Sequence, residues 1–215
     1  MAEQLAVLLG RDAPPIHVIP HGELASVYRR FAPTGPDPRQ PHDILFYGRR
    51  FAYKGLDVLI EAMDQVVARV PTARLVIAGR GSPLPWSPDD APGWVEIHDG
   101  FVDDVTTAAL FDRCGVVALP YREASQSGVL ALALGVGRAL VASDVGGLSE
   151  LIEHDRTGLL VPPGDPQQLA QALIRVLDDP ALMTTMATDQ RELAQTTLSW
   201  DTIAEQTEAI YRTVL

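Results

Sequence analysis

The chain has 215 residues, 47% of them hydrophobic, and a formal net charge of −11, enough for one large domain or two small ones with a sizeable core. The acidic balance argues against nonspecific nucleic-acid binding, which depends on Lys and Arg meeting phosphates. No apolar run approaches the ~18 residues of a membrane span, and no basic-then-apolar leader opens the sequence. Cys114 is the only cysteine, so no intrachain disulfide can form, and a reducing, cytoplasmic setting is expected.

In chain order, residues 2–9 (AEQLAVLL) read as the end of a short helix, and Ile16–Pro20 as a short extended stretch. Residues 32–43 are rich in proline and polar side chains, which marks an exposed linker, so the organised domain is expected from Ile44 onward. From there strand and helix patterns alternate. Strands are predicted at 44–47, 74–78, 95–98, 115–119, 139–142 and 158–161. Helices are predicted at 55–69, 103–113, 127–136, 147–153, 166–178, 180–194 and 200–214. The strands are short, apolar and rich in β-branched residues without clean alternation, as in a parallel sheet buried on both faces. The pattern therefore predicts an α/β fold with a doubly wound, Rossmann-like parallel sheet of about six strands.

The loops at the C-terminal ends of such strands are where ligands bind. Lys54 is the only lysine in the chain, in Gly48-Arg49-Arg50-Phe51-Ala52-Tyr53-Lys54-Gly55. Arg49 and Lys54 leave the first strand together and suit a diphosphate, although Lys54 could equally be a solvated helix-start residue. Gly79 and Gly81 follow the second strand. They allow close backbone approach to a ligand or simply a tight turn. Leu84 occupies the last position of a G-x-G-x-x-G fingerprint, which disfavours a dinucleotide oxidoreductase. Phe101 and Val102 follow the third strand and could pack on a nucleobase or belong to the core. After the fourth strand, Ser127 and Gly128 place free amides at a helix N-terminus, a ready phosphate site, or serve as a plain cap. Glu123 could accept from sugar hydroxyls or pair with Arg122. Asp144-Val145-Gly146-Gly147 reads as a structural turn. The five histidines are scattered with no metal-ligand spacing, so no metal is expected.

Taken in order, HVIPHG, ILFYGRRFAYKGLDVLIEAM, LVIAGRGS, VEIHDGFV, GVVALPYREASQSG, ALVASDVGGLSELIEHDRTGLLVPPGD and LSWDTIAEQTEAIYRTVL resemble the C-terminal, donor-binding half of family-4 retaining glycosyltransferases with the GT-B fold. The resemblance implies a nucleotide-sugar-binding domain at 44–215, with 1–43 the remnant of an N-terminal domain and its linker. It implies Arg49 and Lys54 as catalytic residues that bind the donor diphosphate and stabilise the departing nucleotide. It implies donor contacts from Gly48, Gly79, Gly81, Phe101, Val102, Glu123, Ser127, Gly128 and Val129. It implies no cofactor beyond a UDP- or GDP-sugar substrate, and an acceptor held by a missing N-terminal domain, without which little or no transfer is expected. The family's two glutamates would fall at Ala124 and Leu132, and neither is acidic here; Glu123 is one position off. A nucleotide-sugar epimerase of the same fold and a degenerate nucleotide-binding or interaction module are the alternatives. An exposed apolar face around Trp200, Ile203, Ile210 and Tyr211 is expected where the missing half would dock, with self-association as a consequence.

Overall fold

In the computed structural model of the chain, residues 16–32, 39–87 and 89–214 are described; the helix expected at 2–9 lies outside them. Six strands form one sheet: β1 (Gln40–Tyr47), β2 (Arg74–Gly79), β3 (Val95–Asp99), β4 (Cys114–Leu119), β5 (Ala139–Ser143) and β6 (Leu159–Val161). All five pairings are parallel, in the order β3-β2-β1-β4-β5-β6. The order reverses between β1 and β4, so the sheet opens a crevice there at the C-terminal ends of its strands.

The helices are α1 (Ala25–Tyr28), α2 (Leu56–Arg69), α3 (Asp104–Arg113), α4 (Gly128–Val136), α5 (Gly146–Ser149), α6 (Pro166–Asp178), α7 (Pro180–Gln195) and α8 (Trp200–Val214). Alternate strand residues point to opposite faces. Ile44, Phe46, Leu75, Ile77, Val116 and Val141 meet α2 and α6 on one face. Leu45, Val76, Val117, Leu119 and Leu140 meet α3 and α4 on the other. This two-sided burial is why the central strands read as continuous apolar runs. Within α2, Leu56, Leu59, Met63 and Val66 are buried at helical spacing, which fixes the helix against the sheet. Asp165 and Asp179 cap α6 and α7, each followed by proline in the first turn.

Three elements differ from their sequence expectations. β1 begins at Gln40, taking in the end of the segment read as linker, because Gln40 pairs with Cys114 and Asp43 with Arg74. The helix expected at 147–153 is a single turn, Gly146–Ser149. Ile203 of the apolar stripe on α8 is buried, while Trp200 and Tyr211 stay 50% and 62% exposed. Segment 16–32 packs onto this domain. Glu23 N–H donates to Leu198 O at 2.9 Å, and Trp200 Nε1 donates to Glu23 O at 2.9 Å. A methyl group at Gly22 would sit 2.7 Å from the Trp200 ring, so glycine is what lets the chain pass over the indole.

Candidate nucleotide-sugar site

The crevice is built from three loops, those after β1, β4 and β5. After β1 the backbone turns at Gly48, whose N–H donates to Ala78 O at 2.8 Å, and runs through a 3-10 turn, Ala52–Lys54, into α2. Gly55 ends that turn in the left-handed region (φ +67°), and a Cβ there would fall 2.0 Å from Pro120 O. The β1 loop and the end of β4 are thus pressed together at a point only glycine allows. The contact swings Lys54 inward.

Lys54 is buried, 8% exposed. Its Nζ lies 5.1 Å from the centroid of the Tyr121 ring, and a Cβ on Gly48 would fall 2.8 Å from it. No carboxylate of the described residues pairs with it. Burial, and secondarily the like charge of Arg49, pull its pKa down to about 8. Arg49 is exposed, its guanidinium 5.1 Å from the Phe51 ring centroid. Arg49 is near enough for its charge to act on Lys54, though it lies outside the lining of the pocket that Lys54 enters, and no carboxylate of the described residues pairs with either.

Opposite them stands the N-terminus of α4. Ser127 is its N-cap and accepts from Leu130 N–H at 3.3 Å, which leaves the amides of Gly128 and Val129 aimed outward. The cap uses the Leu130 amide, so it leaves these neighbouring amides available to an anion. The β5 loop closes the floor: Cβ atoms on Gly146 and Gly147 would each fall 1.9 Å from a backbone carbonyl oxygen, that of Ala124 and that of Ser125. The open pocket between them, about 790 Å³, is lined by Lys54, Tyr121, Glu123, Ser127, Gly128 and Val129 among others. Glu123 is exposed on its rim; Arg122 is committed elsewhere, to Asp57 in a bidentate pair at 2.7 and 2.9 Å.

Gly48 sits behind this pocket against Gly79, where an added Cβ would fall 2.2 Å from Gly48 O. Gly81 is bridged to Arg50. Phe101 and Val102 lie apart, on the loop after β3; Phe101 is 86% exposed, so it is not core. What connects their loop to the crevice is Arg50, whose importance the sequence did not reveal. Buried to 4% exposure, it donates to Gly79 O, to Ser82 O at 3.0 Å and to Asp99 Oδ1 at 2.7 Å. One side chain so ties the loops after β1, β2 and β3 together. Tyr121 was also missed; an aromatic directly after the strand-ending Pro120 was the available signal. Burial pushes its phenol up to about 12, so it remains neutral beside Lys54. Leu132, where the resemblance would place a glutamate, is buried in α4 at 3% exposure and packs in the core. Among the described residues no three His, Cys, Asp or Glu side chains group to hold a metal ion, and no helix is long and apolar enough to cross a membrane.

Residues 41–179 match the family model described as glycosyl transferases group 1. An uncharacterized glycosyltransferase of Methanocaldococcus jannaschii is 34% identical over 174 residues, covering 79% of this chain and 44% of that protein. Sucrose-phosphate synthase from Thermosynechococcus elongatus superposes with a TM-score of 0.73 at 28% identity, over 92% of this chain and 52% of that one. Anabaena HepE in complex with UDP-glucose superposes at 0.71 with 20% identity, over 86% and 55%. The chain spans about half the length of the curated relatives it matches.

Proposed function

Since the chain belongs to the group 1 glycosyl transferases, we propose that it binds a nucleoside diphosphate sugar in the crevice around Lys54 and supplies the donor half of a sugar transfer with retention of configuration. The observation that carries this reading is a buried ammonium with no carboxylate partner among the described residues, facing the amides of a helix N-terminus across an open pocket. A diphosphate satisfies both. Arg49 and Lys54 bind its oxygens. As the bond between the anomeric carbon and the diphosphate oxygen breaks, they neutralise the charge that accumulates on the leaving nucleotide. An acceptor hydroxyl, held by a second domain, forms the new bond to the anomeric carbon on the face the nucleotide leaves and passes its proton to the departing diphosphate oxygen. In this reading Glu123 on the rim accepts from sugar hydroxyls, and Phe101 with Val102, on the loop that Arg50 ties to the crevice, packs on the base. UDP is the first nucleotide to test, since HepE carries UDP-glucose on this fold; GDP is the second.

Calorimetric titration with UDP, GDP and ADP, with and without Mg²⁺, tests the reading. One nucleotide should bind the wild type, and Arg49→Ala and Lys54→Ala should each weaken it at least about tenfold, the loss of one charge-assisted contact. Equal binding by both variants would refute the assignment. A nucleotide-binding module without transfer chemistry is the second reading, favoured by the apolar Leu132. It predicts that a sugar nucleotide binds no more tightly than the bare nucleotide.

A further inference from the structure

Beside the donor pocket, on the α2 side of the same strand ends, lies a second and larger concavity of about 1230 Å³. Its floor is Leu56 and Ile60 of α2. Its far wall is Leu84, Trp86 and Trp94, with the two indoles edge to face at 5.8 Å and packed onto the core. The near wall is Phe51 stacked on Tyr53, centroids 6.0 Å apart and 29° between planes, 44% and 38% exposed. Pro83, Pro85 and Pro92 line it as well, and their fixed φ angles make this wall stiff.

The charges around the trough are one-sided. Glu61, Asp64 and Glu123 line it and make no hydrogen bond or ion pair with any described residue. The two cations that line it are both engaged, Arg50 with Asp99 and Arg122 with Asp57. An anionic ligand, whether a phospholipid headgroup or a second nucleotide, would find carboxylates and no unpaired cation. A pyranose ring offers what the walls accept: C–H faces for the aromatic rings and hydroxyl donors for the carboxylates. The trough also adjoins the donor pocket across a common ridge, because Tyr53, Arg122 and Glu123 line both. Arg122 N–H donates to Tyr53 O at 2.7 Å, and its guanidinium to Ala52 O at 2.9 Å, which fixes this shared ridge.

We propose that the trough is an acceptor subsite that holds an uncharged saccharide, stacked between the Phe51–Tyr53 pair and the Trp86–Trp94 wall, with its hydroxyls on Glu61 and Asp64. This rests on the donor assignment of the neighbouring pocket and adds to it that part of the acceptor is gripped by this domain.

The test is an NMR titration of the indole resonances of the UDP-saturated protein. Neutral oligosaccharides of the malto, cello and manno series are compared with amine-bearing chitosan oligomers and anionic hyaluronan oligomers. At least one neutral series should shift the Trp86 and Trp94 signals and leave Trp200 unmoved. Trp86→Ala should weaken that binding about tenfold, the scale of one lost aromatic contact. The double variant Glu61→Gln with Asp64→Asn changes only exposed side chains, which guards against a folding defect, and should weaken it several-fold. Neither should alter UDP affinity. Binding of the chitosan or hyaluronan series alone, no shift with any neutral series, or undiminished binding in the double variant would overturn the proposal. Failure of the wild type to bind any nucleotide would instead strike at the donor assignment, so the two are separable.

Discussion

Raising the pH through 8 should weaken nucleotide binding, and Lys54 sets the size of the effect. In the free protein, burial and Arg49 hold its pKa near 8, against an ordinary value of 10.5. A bound diphosphate supplies the missing counter-charge and drives the pKa back toward that ordinary value. Above pH 8 the free protein therefore loses a proton that the complex retains, and each pH unit weakens binding by up to tenfold. Full restoration would correspond to about 3 kcal/mol. Partial contact with solvent and the remaining repulsion from Arg49 reduce this to about 1–2 kcal/mol, roughly five- to thirtyfold in affinity between pH 7 and 9.5. Above pH 8, where the slope is expected, the diphosphate itself is fully ionised. Calorimetry in buffers of different ionisation enthalpy would detect the accompanying proton uptake, approaching one per site above pH 8. The sign reverses for stability of the free protein. The unfolded lysine holds its proton up to about 10.5 while the folded one loses it near 8, so unfolding free energy should rise with pH across that window, and the penalty is fully present below it. Lys54→Met should abolish both slopes. A pH-independent affinity, or the same slope in Lys54→Met, would refute the buried, unpaired ammonium as the seat of binding.

Gly55→Ala should prove among the most damaging single-methyl changes in the chain. The new Cβ would fall 2.0 Å from Pro120 O in a left-handed backbone, and a loss of more than about 3 kcal/mol is expected by chemical denaturation. A loss below about 1 kcal/mol would mean the β1 and β4 loops are not pressed together as described. Leu132→Glu should not restore a ribose contact. The side chain would enter a 3% exposed position in the core, and a loss of at least about 3 kcal/mol is expected; a stable variant with tighter UDP binding would refute this placement of α4.

The sequence by itself determined the architecture and most of the loops that matter. The apolar, β-branched runs at 74–78 and 115–119 carry the pattern of strands covered on both faces, and their alternation with amphipathic helices points to a parallel sheet. Apart from β1 and the single turn after β5, its elements fall close to their expected bounds because burial, capping by Asp165 and Asp179, and glycine or proline punctuation all act locally. Lys54 drew attention because it is the only lysine among sixteen arginines, and Ser127 because a cap residue precedes an apolar helix. The tertiary structure alone decided what these residues face. That Lys54 is buried follows from Gly55 meeting Pro120, two residues 65 positions apart in the sequence. Arg50 reads as one more loop arginine until three loops are folded around it. The apolar trough is invisible in sequence, since its floor is α2 and its walls come from the loop after β1, the proline-rich loop after β2 and the loop after β4. Periodicity records which side of its own element a residue lies on. It carries no record of which distant loop is brought against that side, and a binding site is made of those non-local meetings.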